Sequence, residues 1–182
     1  MKGEKVLLRD KRWEDATNDY AWRSDEELAR LDAAAPLKIP YTEYVFEHAT
    51  ELNTPSQRRS RFAIEDLNGK HIGNCMYYDI DRKKGQAELG IMIGDRDYWE
   101  QGYGTDAITV LVNHIFTTTQ FKRVYLKTLD WNTRAQRCFA RCGFVPYGRA
   151  NKRGRSFILM ELTRQEWERR KLASPSESST TR

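Results

Sequence analysis

Cysteine is scarce in this 182-residue sequence. Cys75, Cys138 and Cys142 are odd in number and irregular in spacing, which excludes a disulfide framework and implies reduced thiols. No histidine or further cysteine stands near Cys138 and Cys142 to complete a tetrahedral metal site, so no metal is expected. Long apolar runs are missing too. Charge or glycine interrupts every stretch well short of the roughly 18 residues that a bilayer span requires. The opening MKGEKVLLRDKRWED has no apolar segment behind its basic residues, as a secretory signal would. A cytoplasmic protein without membrane contact is expected. Nor does one sign of charge dominate, since 31 Lys and Arg stand against 26 Asp and Glu. The resulting +5 is too mild and too interleaved with acid to establish a nucleic-acid partner, but it suits a polyanionic small ligand.

What is present is enough for one self-sufficient core. With 39% hydrophobic and 12% aromatic residues, the chain reads as a single domain over residues 1–172. Residues 173–182, small and polar, read as a disordered tail. No internal repeat is found. Val6, Leu7 and Leu8 form a short strand, Trp13 to Arg23 a helix, and Tyr41 to Leu52 a second helix after Pro36 and Pro40. Strands at Arg61 to Glu65, His71 to Asp81 and Gln86 to Ile93 are separated by Asn68-Gly69 and by a turn at Lys83 to Gly85. Turns this short make the three strands antiparallel.

Ile108, Leu111, Val112, Ile115 and Phe116 then fall on one face of a helix. Arg123 to Leu129 alternates as a strand. Asn132 is placed to cap a helix over Thr133 to Cys142, which Gly143 closes. Strands at Phe144 to Arg149 and Ser156 to Leu162 flank the basic loop NKRGR, and a short helix runs from Arg164 to Leu172.

Chemistry concentrates in Trp99-Glu100-Gln101-Gly102-Tyr103-Gly104-Thr105, between a strand and the amphipathic helix. Two glycines let the backbone approach a ligand, and the first helical turn offers unpaired N-H groups to a pyrophosphate. The stretch has neither the Gly-Lys-Ser/Thr of a Walker loop nor the spacing of a dinucleotide fold. By itself it also fits an ordinary strand-to-helix turn.

The strand meander, the Gly-Tyr-Gly turn and its helix, the Asn-x-x-Ala beginning at Asn132 and the later Cys-Gly-Phe together resemble the GNAT superfamily of acyl-CoA N-acetyltransferases, over about residues 4 to 163. The strings ELGIMIG and YWEQGYGTDA look most like the branch of ribosomal-protein N-terminal acetyltransferases. Spermidine and other small-amine acetyltransferases share the pattern. The resemblance implies a mixed α+β fold, with a mostly antiparallel sheet of about seven strands flanked by helices. It implies acetyl-CoA as cosubstrate, with the pyrophosphate on backbone N-H groups of Gln101, Gly102, Tyr103, Gly104 and Thr105. Trp99 stands where the motif usually has Gln or Arg. Ile91, Met92 and Ile93 correspond to the strand that receives pantetheine. Asn132 corresponds to an asparagine that bonds the pantetheine arm, and a plain helix cap is the alternative. Arg141 corresponds to a basic position near the CoA phosphates, or it is an exposed helix charge.

Two departures bear on mechanism. Phe139 occupies the place of a tyrosine that protonates the departing thiolate, leaving water, Cys138, another tyrosine or no dedicated acid. Lys127 occupies a frequent base position and cannot serve while protonated. Glu88 is the leading candidate base, acting directly or through water, with a surface cross-strand partner as the alternative. The resemblance also implies direct attack with no covalent enzyme intermediate. The acceptor would be a protein N-terminus, or else a small amine such as a polyamine or aminoglycoside. A noncatalytic acyl-CoA-binding module is the third reading, and a homodimer stays open. Residues 24–40 and 149–155 would border the acceptor. Asp25, Glu26 and Glu27 there favour a cation, whereas Arg149, Lys152, Arg153 and Arg155 favour an anion.

Overall fold

Connections of four residues, 67–70 and 82–85, cannot carry a chain across a sheet, so β2 (Arg59–Asp66), β3 (His71–Asp81) and β4 (Gln86–Ile93) run antiparallel, as the sequence predicts. The computed structural model describes residues 1–54 and 56–173. Strand β1 (Val6–Asp10) pairs with β2. After β4, helix α4 (Tyr103–Thr118) crosses over and delivers β5 (Arg123–Leu129) parallel to β4. A last hairpin, β6 (Val145–Lys152) and β7 (Arg155–Thr163), completes seven strands in the order β1-β2-β3-β4-β5-β7-β6. Helices α1 (Ala16–Ser24), α2 (Glu26–Leu31), α3 (Tyr41–Asn53), α5 (Thr133–Arg141) and α6 (Arg164–Ala173) pack around it.

The five apolar positions read as one face of α4 are all buried, together with Ala107, against Val124 and Leu126 of β5 and Ile64 and Ile72 of β2 and β3. Burial of each large aliphatic side chain contributes about 1.5–3 kcal/mol, so this face fixes α4 on the sheet.

The sequence reading needs four local corrections. The expected Trp13–Arg23 helix opens with a 3-10 turn, Trp13–Asp15. Helix α2 lies in a stretch read only as acidic. It forms because the Asp25 side chain accepts from the Leu28 N-H at 2.9 Å and because Leu28 and Ala29 are buried. The basic NKRGR segment is mostly strand, since Asn151 and Lys152 pair with Ser156 and Arg155. Its turn is only Arg153-Gly154, at φ +51° and +72°, the left-handed pair that a tight hairpin demands. Helix α6 includes Ala173, the first residue of the expected tail, while residues 174–182 lie outside the described residues.

The feature that shapes everything else is a parting of strands. Strand β5 stays paired with β7 along its whole length, and β4 stays with β3 as far as Gly73 opposite Ile93. Between β4 and β5, however, only Gln86, Ala87 and Glu88 pair, opposite Arg123, Val124 and Tyr125. A bulge in β3 at residues 79–80, with Asp79 at φ +49°, twists the ladder beside the last paired residue. Beyond Glu88 the two strands separate.

A polar cluster ties α1 to the sheet. Arg9 forks onto Asp15 at 2.7 and 2.9 Å and reaches Glu65 at 2.5 Å, while Asp15 also accepts the Arg12 N-H at 2.7 Å. Lys11 contacts Asp19 at 2.7 Å and Asn74 at 2.6 Å, and His71 lies 3.3 Å from Asp15. Burial would raise the Asp15 pKa, but the hydrogen bonds from Arg9 and Arg12 and the charge of Lys11 hold it well below the usual carboxylate range. Its stabilising contribution is therefore full above the unfolded-state value of about 3.9 and declines as pH falls below it. Asp15→Ala, which strands buried cations, should cost about 3–5 kcal/mol in urea unfolding at pH 7. The difference from wild type should fade below about pH 4.

Candidate active site

A cavity of about 620 Å³ opens where β4 and β5 separate. Residues 89–93 form one wall, the first turn of α4 and the inner face of α5 another, and the far end is bordered by Asp32, Ala33 and the β6–β7 turn. Of the sequence-predicted residues, Ile91, Met92, Ile93, Gly102, Gly104, Thr105, Asn132, Phe139 and Arg141 come together on this cavity. Gln101 and Tyr103 do not line it. Gln101 turns its amide onto the Asp97 carbonyl, and Tyr103 packs edge-on against Tyr98 with ring centres 4.8 Å apart.

The end nearest α4 has the geometry of an anion cradle. Gly102, at φ +87°, ends the preceding turn in a conformation that other residues rarely adopt, and it caps α4. Gly104 is different. It has an ordinary helical φ, and a β-carbon built there would meet Cys138 Sγ at 3.5 Å and Ile93 Cγ1 at 3.8 Å, normal contacts. Nothing inside the protein requires glycine at 104. The bare Cα leaves room on the cavity side, where the N-H groups of the first helical turn have no intrahelical acceptor. Arg134, Arg137 and Arg141 border the same space, with exposed Glu100 beside them. This set fits the pyrophosphate of acetyl-CoA. Trp99, where a polar residue is usual, donates its indole N-H to the Ile93 carbonyl at 2.7 Å and carries the Arg134 guanidinium 3.8 Å above its ring. It locks the end of β4 to the cradle.

In the middle, Asn132 Oδ1 accepts the Ala135 N-H at 3.2 Å, so the capping role is real. Its Nδ2 has no hydrogen bond among the described residues, which leaves a donor for a ligand in the cavity that Asn132 lines. Phe139 is buried against Phe144, ring centres 6.1 Å apart, with its edge on the cavity. Cys138 also lines it. The neighbouring Cys142 thiol outweighs burial and, with the Thr105 hydroxyl 3.4 Å away, lowers the Cys138 thiol below the ordinary thiol range.

Glu88 sits at the fork itself, buried, as the last β4 residue paired with β5. The Tyr78 hydroxyl donates to its Oε1 at 2.7 Å, and the Lys127 ammonium pairs with the same oxygen. Tyr78 and Lys127 line the cavity, and Glu88 lies behind them. Burial, then the Glu88 hydrogen bond and charge, pushes the Tyr78 phenol above the ordinary tyrosine range and keeps it protonated. Sequence reasoning missed Tyr78. Its signal was the strand register, which sets Tyr78 opposite Glu88.

Asp32, at the C-terminal end of α2, was also missed as an individual. It faces the cavity, open to it yet ringed by protein, and burial raises its carboxyl to about 6 against the opposing pull of Arg23 and Lys127. Asp25 and Glu27, read as cation-attracting, are instead held by Arg96 at 2.8 and 2.9 Å.

The family description "Acetyltransferase (GNAT) domain" matches residues 5–145. The chain belongs to the GNAT acetyltransferase family, and it is an acetyl-CoA-dependent N-acetyltransferase. It is 26% identical over 131 residues to an uncharacterized N-acetyltransferase, p20, of Bacillus licheniformis, covering 71% of this chain and 73% of the relative. It is 30% identical over 99 residues to the spermine/spermidine N(1)-acetyltransferase of Bacillus subtilis (strain 168), covering 52% of this chain and 65% of that protein. Among solved structures, the spermidine N-acetyltransferase from Vibrio cholerae in complex with CoA and spermine superposes with a TM-score of 0.79 at 20% identity, covering 90% of this chain and 98% of that one. The aminoglycoside acetyltransferase AAC(6')-Ib in complex with coenzyme A gives 0.75 at 20% identity, over 91% and 99% of the two chains. These two establish the shared fold.

Because Gly104 has space for a side chain but none inside the protein that demands its absence, Gly104→Val should fold with near wild-type stability and lose acetyl-CoA affinity at least about tenfold. Calorimetry beside thermal unfolding separates the two effects. Asn132→Asp should keep the cap and remove the Nδ2 donor, so acetyl-CoA binding should weaken while the melting temperature holds. Unchanged affinity would leave Asn132 a cap only.

Proposed function

We propose that this enzyme acetylates the primary amine of a small molecule, with Asn132 holding the pantetheine arm and Glu88 drawing off the amine proton through Tyr78. The observation that carries the small-amine reading is the way α2 is strapped over the acceptor end. Arg96 grips Asp25 and Glu27 at its start, Arg30 stacks 4.9 Å from the Trp131 ring centre, and Arg155 bonds the Ala33 carbonyl just past its end. The result is a chamber scaled to a small molecule. The polyamine and aminoglycoside acetyltransferases similar to this chain support the same reading. A protein N-terminus, favoured by the ELGIMIG and YWEQGYGTDA strings, is the second reading.

Acetyl-CoA supplies a thioester already activated toward amines. The acceptor, an ammonium at neutral pH, must lose a proton before it attacks. Tyr78 stands between the cavity and Glu88, so its oxygen can take the amine proton while its own proton passes to Glu88. Lys127 pairs with the same Glu88 oxygen and balances its charge. Phe139 has no proton to give. Thiols ionise near pH 8.5, so a thiolate leaves readily without a dedicated acid.

Thiol release measured across polyamines, aminoglycosides, amino acids and N-terminal peptides should show turnover with small amines, and turnover with peptides alone would contradict the reading. Glu88→Gln should lower turnover by about 10²-fold at pH 7, the deficit shrinking as pH nears the amine pKa and free amine becomes abundant. An unaltered rate and pH profile would move the base elsewhere.

A further inference from the structure

The acceptor end of the cavity carries an unexpected balance of charge for a site that would hold a polycation. The acids that might have lined it are already engaged: Asp25 and Glu27 by Arg96, Glu88 by Lys127 and Tyr78. Asp32 is the one carboxylate at this end of the lining, and both Arg23, outside the lining, and Lys127, within it, act on it. At the same end, the β6–β7 turn brings Lys152, Arg153 and Arg155 to the cavity. Arg155 is committed to the Ala33 carbonyl, which fixes the turn beside α2. Lys152 and Arg153 are exposed and have no ion-pair partner among the described residues. The left-handed turn at Arg153-Gly154 holds them at the rim.

Two free cations at the same rim as one carboxylate repel a chain of ammonium groups and complement a molecule of mixed charge. We infer that the acceptor is a small amine that also carries an anionic group, a carboxylate or a phosphate, with Asp32 receiving the ammonium and Lys152 and Arg153 the anion. This rests on the small-amine reading and sharpens it. The cofactor phosphates have their own cations at the other end, where Arg134, Arg137 and Arg141 flank the Gly102 to Thr105 cradle. The turn is tied to α2, not to α4.

Lysine and cadaverine differ by one carboxylate, and glucosamine 6-phosphate and glucosamine by one phosphate, so these pairs isolate the anion. With acetyl-CoA saturating, kcat/KM should favour the anionic member of at least one pair by about tenfold or more, and which pair responds distinguishes carboxylate from phosphate. The double variant Lys152→Gln/Arg153→Asn removes both charges and keeps a residue that tolerates positive φ at 153. It should reduce that preference about tenfold through KM for the acceptor that carries the carboxylate or phosphate, without lowering the rate on the partner that lacks it. Asp32→Asn should weaken both members of the pair. Preference for cadaverine, glucosamine or spermidine, or a preference unmoved in the double variant, overturns the inference while leaving the small-amine reading intact. A raised KM for acetyl-CoA with an unchanged acceptor ratio also overturns it, by giving these cations to the cofactor. Acetylation of peptide N-termini with none of these amines accepted overturns both.

Discussion

Three residue pairs hold β4 to β5, and the site exists because there is not a fourth. Continuing the parallel ladder past Glu88 and Tyr125 would close the sheet and pair the backbone groups of residues 89–93 with β5. The ladder stops, and each strand keeps its outer neighbour, so the opening costs no core: Leu89 and Leu126 remain buried on either side of the fork. The exposed edge of β4, the cradle at the start of α4 and the capped start of α5 then border one space. Trp99 secures the first of these to the second through the Ile93 carbonyl, and Gln136 secures β5 to α5 by donating to the carbonyls of Leu129 and Asp130 at 3.0 and 2.9 Å.

The fork also explains why the proposed proton path is indirect. A carboxylate at the last paired position is enclosed by both strands, so Glu88 meets the cavity through the side chains above it. Tyr78 reaches it from β3 and Lys127 from β5. The three form a compact unit: a carboxylate that accepts, a hydroxyl held protonated, and a cation that balances the charge. Phe139, buried on Phe144, closes the opposite wall with hydrocarbon.

Much of this was legible in the sequence. The strands over Gln86–Ile93 and Arg123–Leu129 match the reading residue for residue, because clear alternation bounded by turn residues fixes both ends. The Asn132 cap and the left-handed Gly143, at φ +97°, were legible for the same local reason. Long-range facts were not. Helix α2 is too short to show periodicity and depends on tertiary burial of Leu28 and Ala29. The Arg9–Asp15–His71 cluster joins residues far apart in the chain, and the role of Tyr78 required the register of two strands. At the acceptor rim the sequence displayed opposed charges. Only the contacts showed which were already paired, leaving Asp32, Lys152 and Arg153.

The central claim is that the gap between the parting strands, and the cradle beside it, is where acetyl-CoA lies. Amide hydrogen exchange with and without acetyl-CoA tests it most directly, because those backbone groups are the proposed ligands. Slowed exchange confined mainly to residues 89–93, 102–105 and the start of α5 is the predicted result. Binding that leaves these amides unchanged, or that protects another face of the sheet, would contradict it.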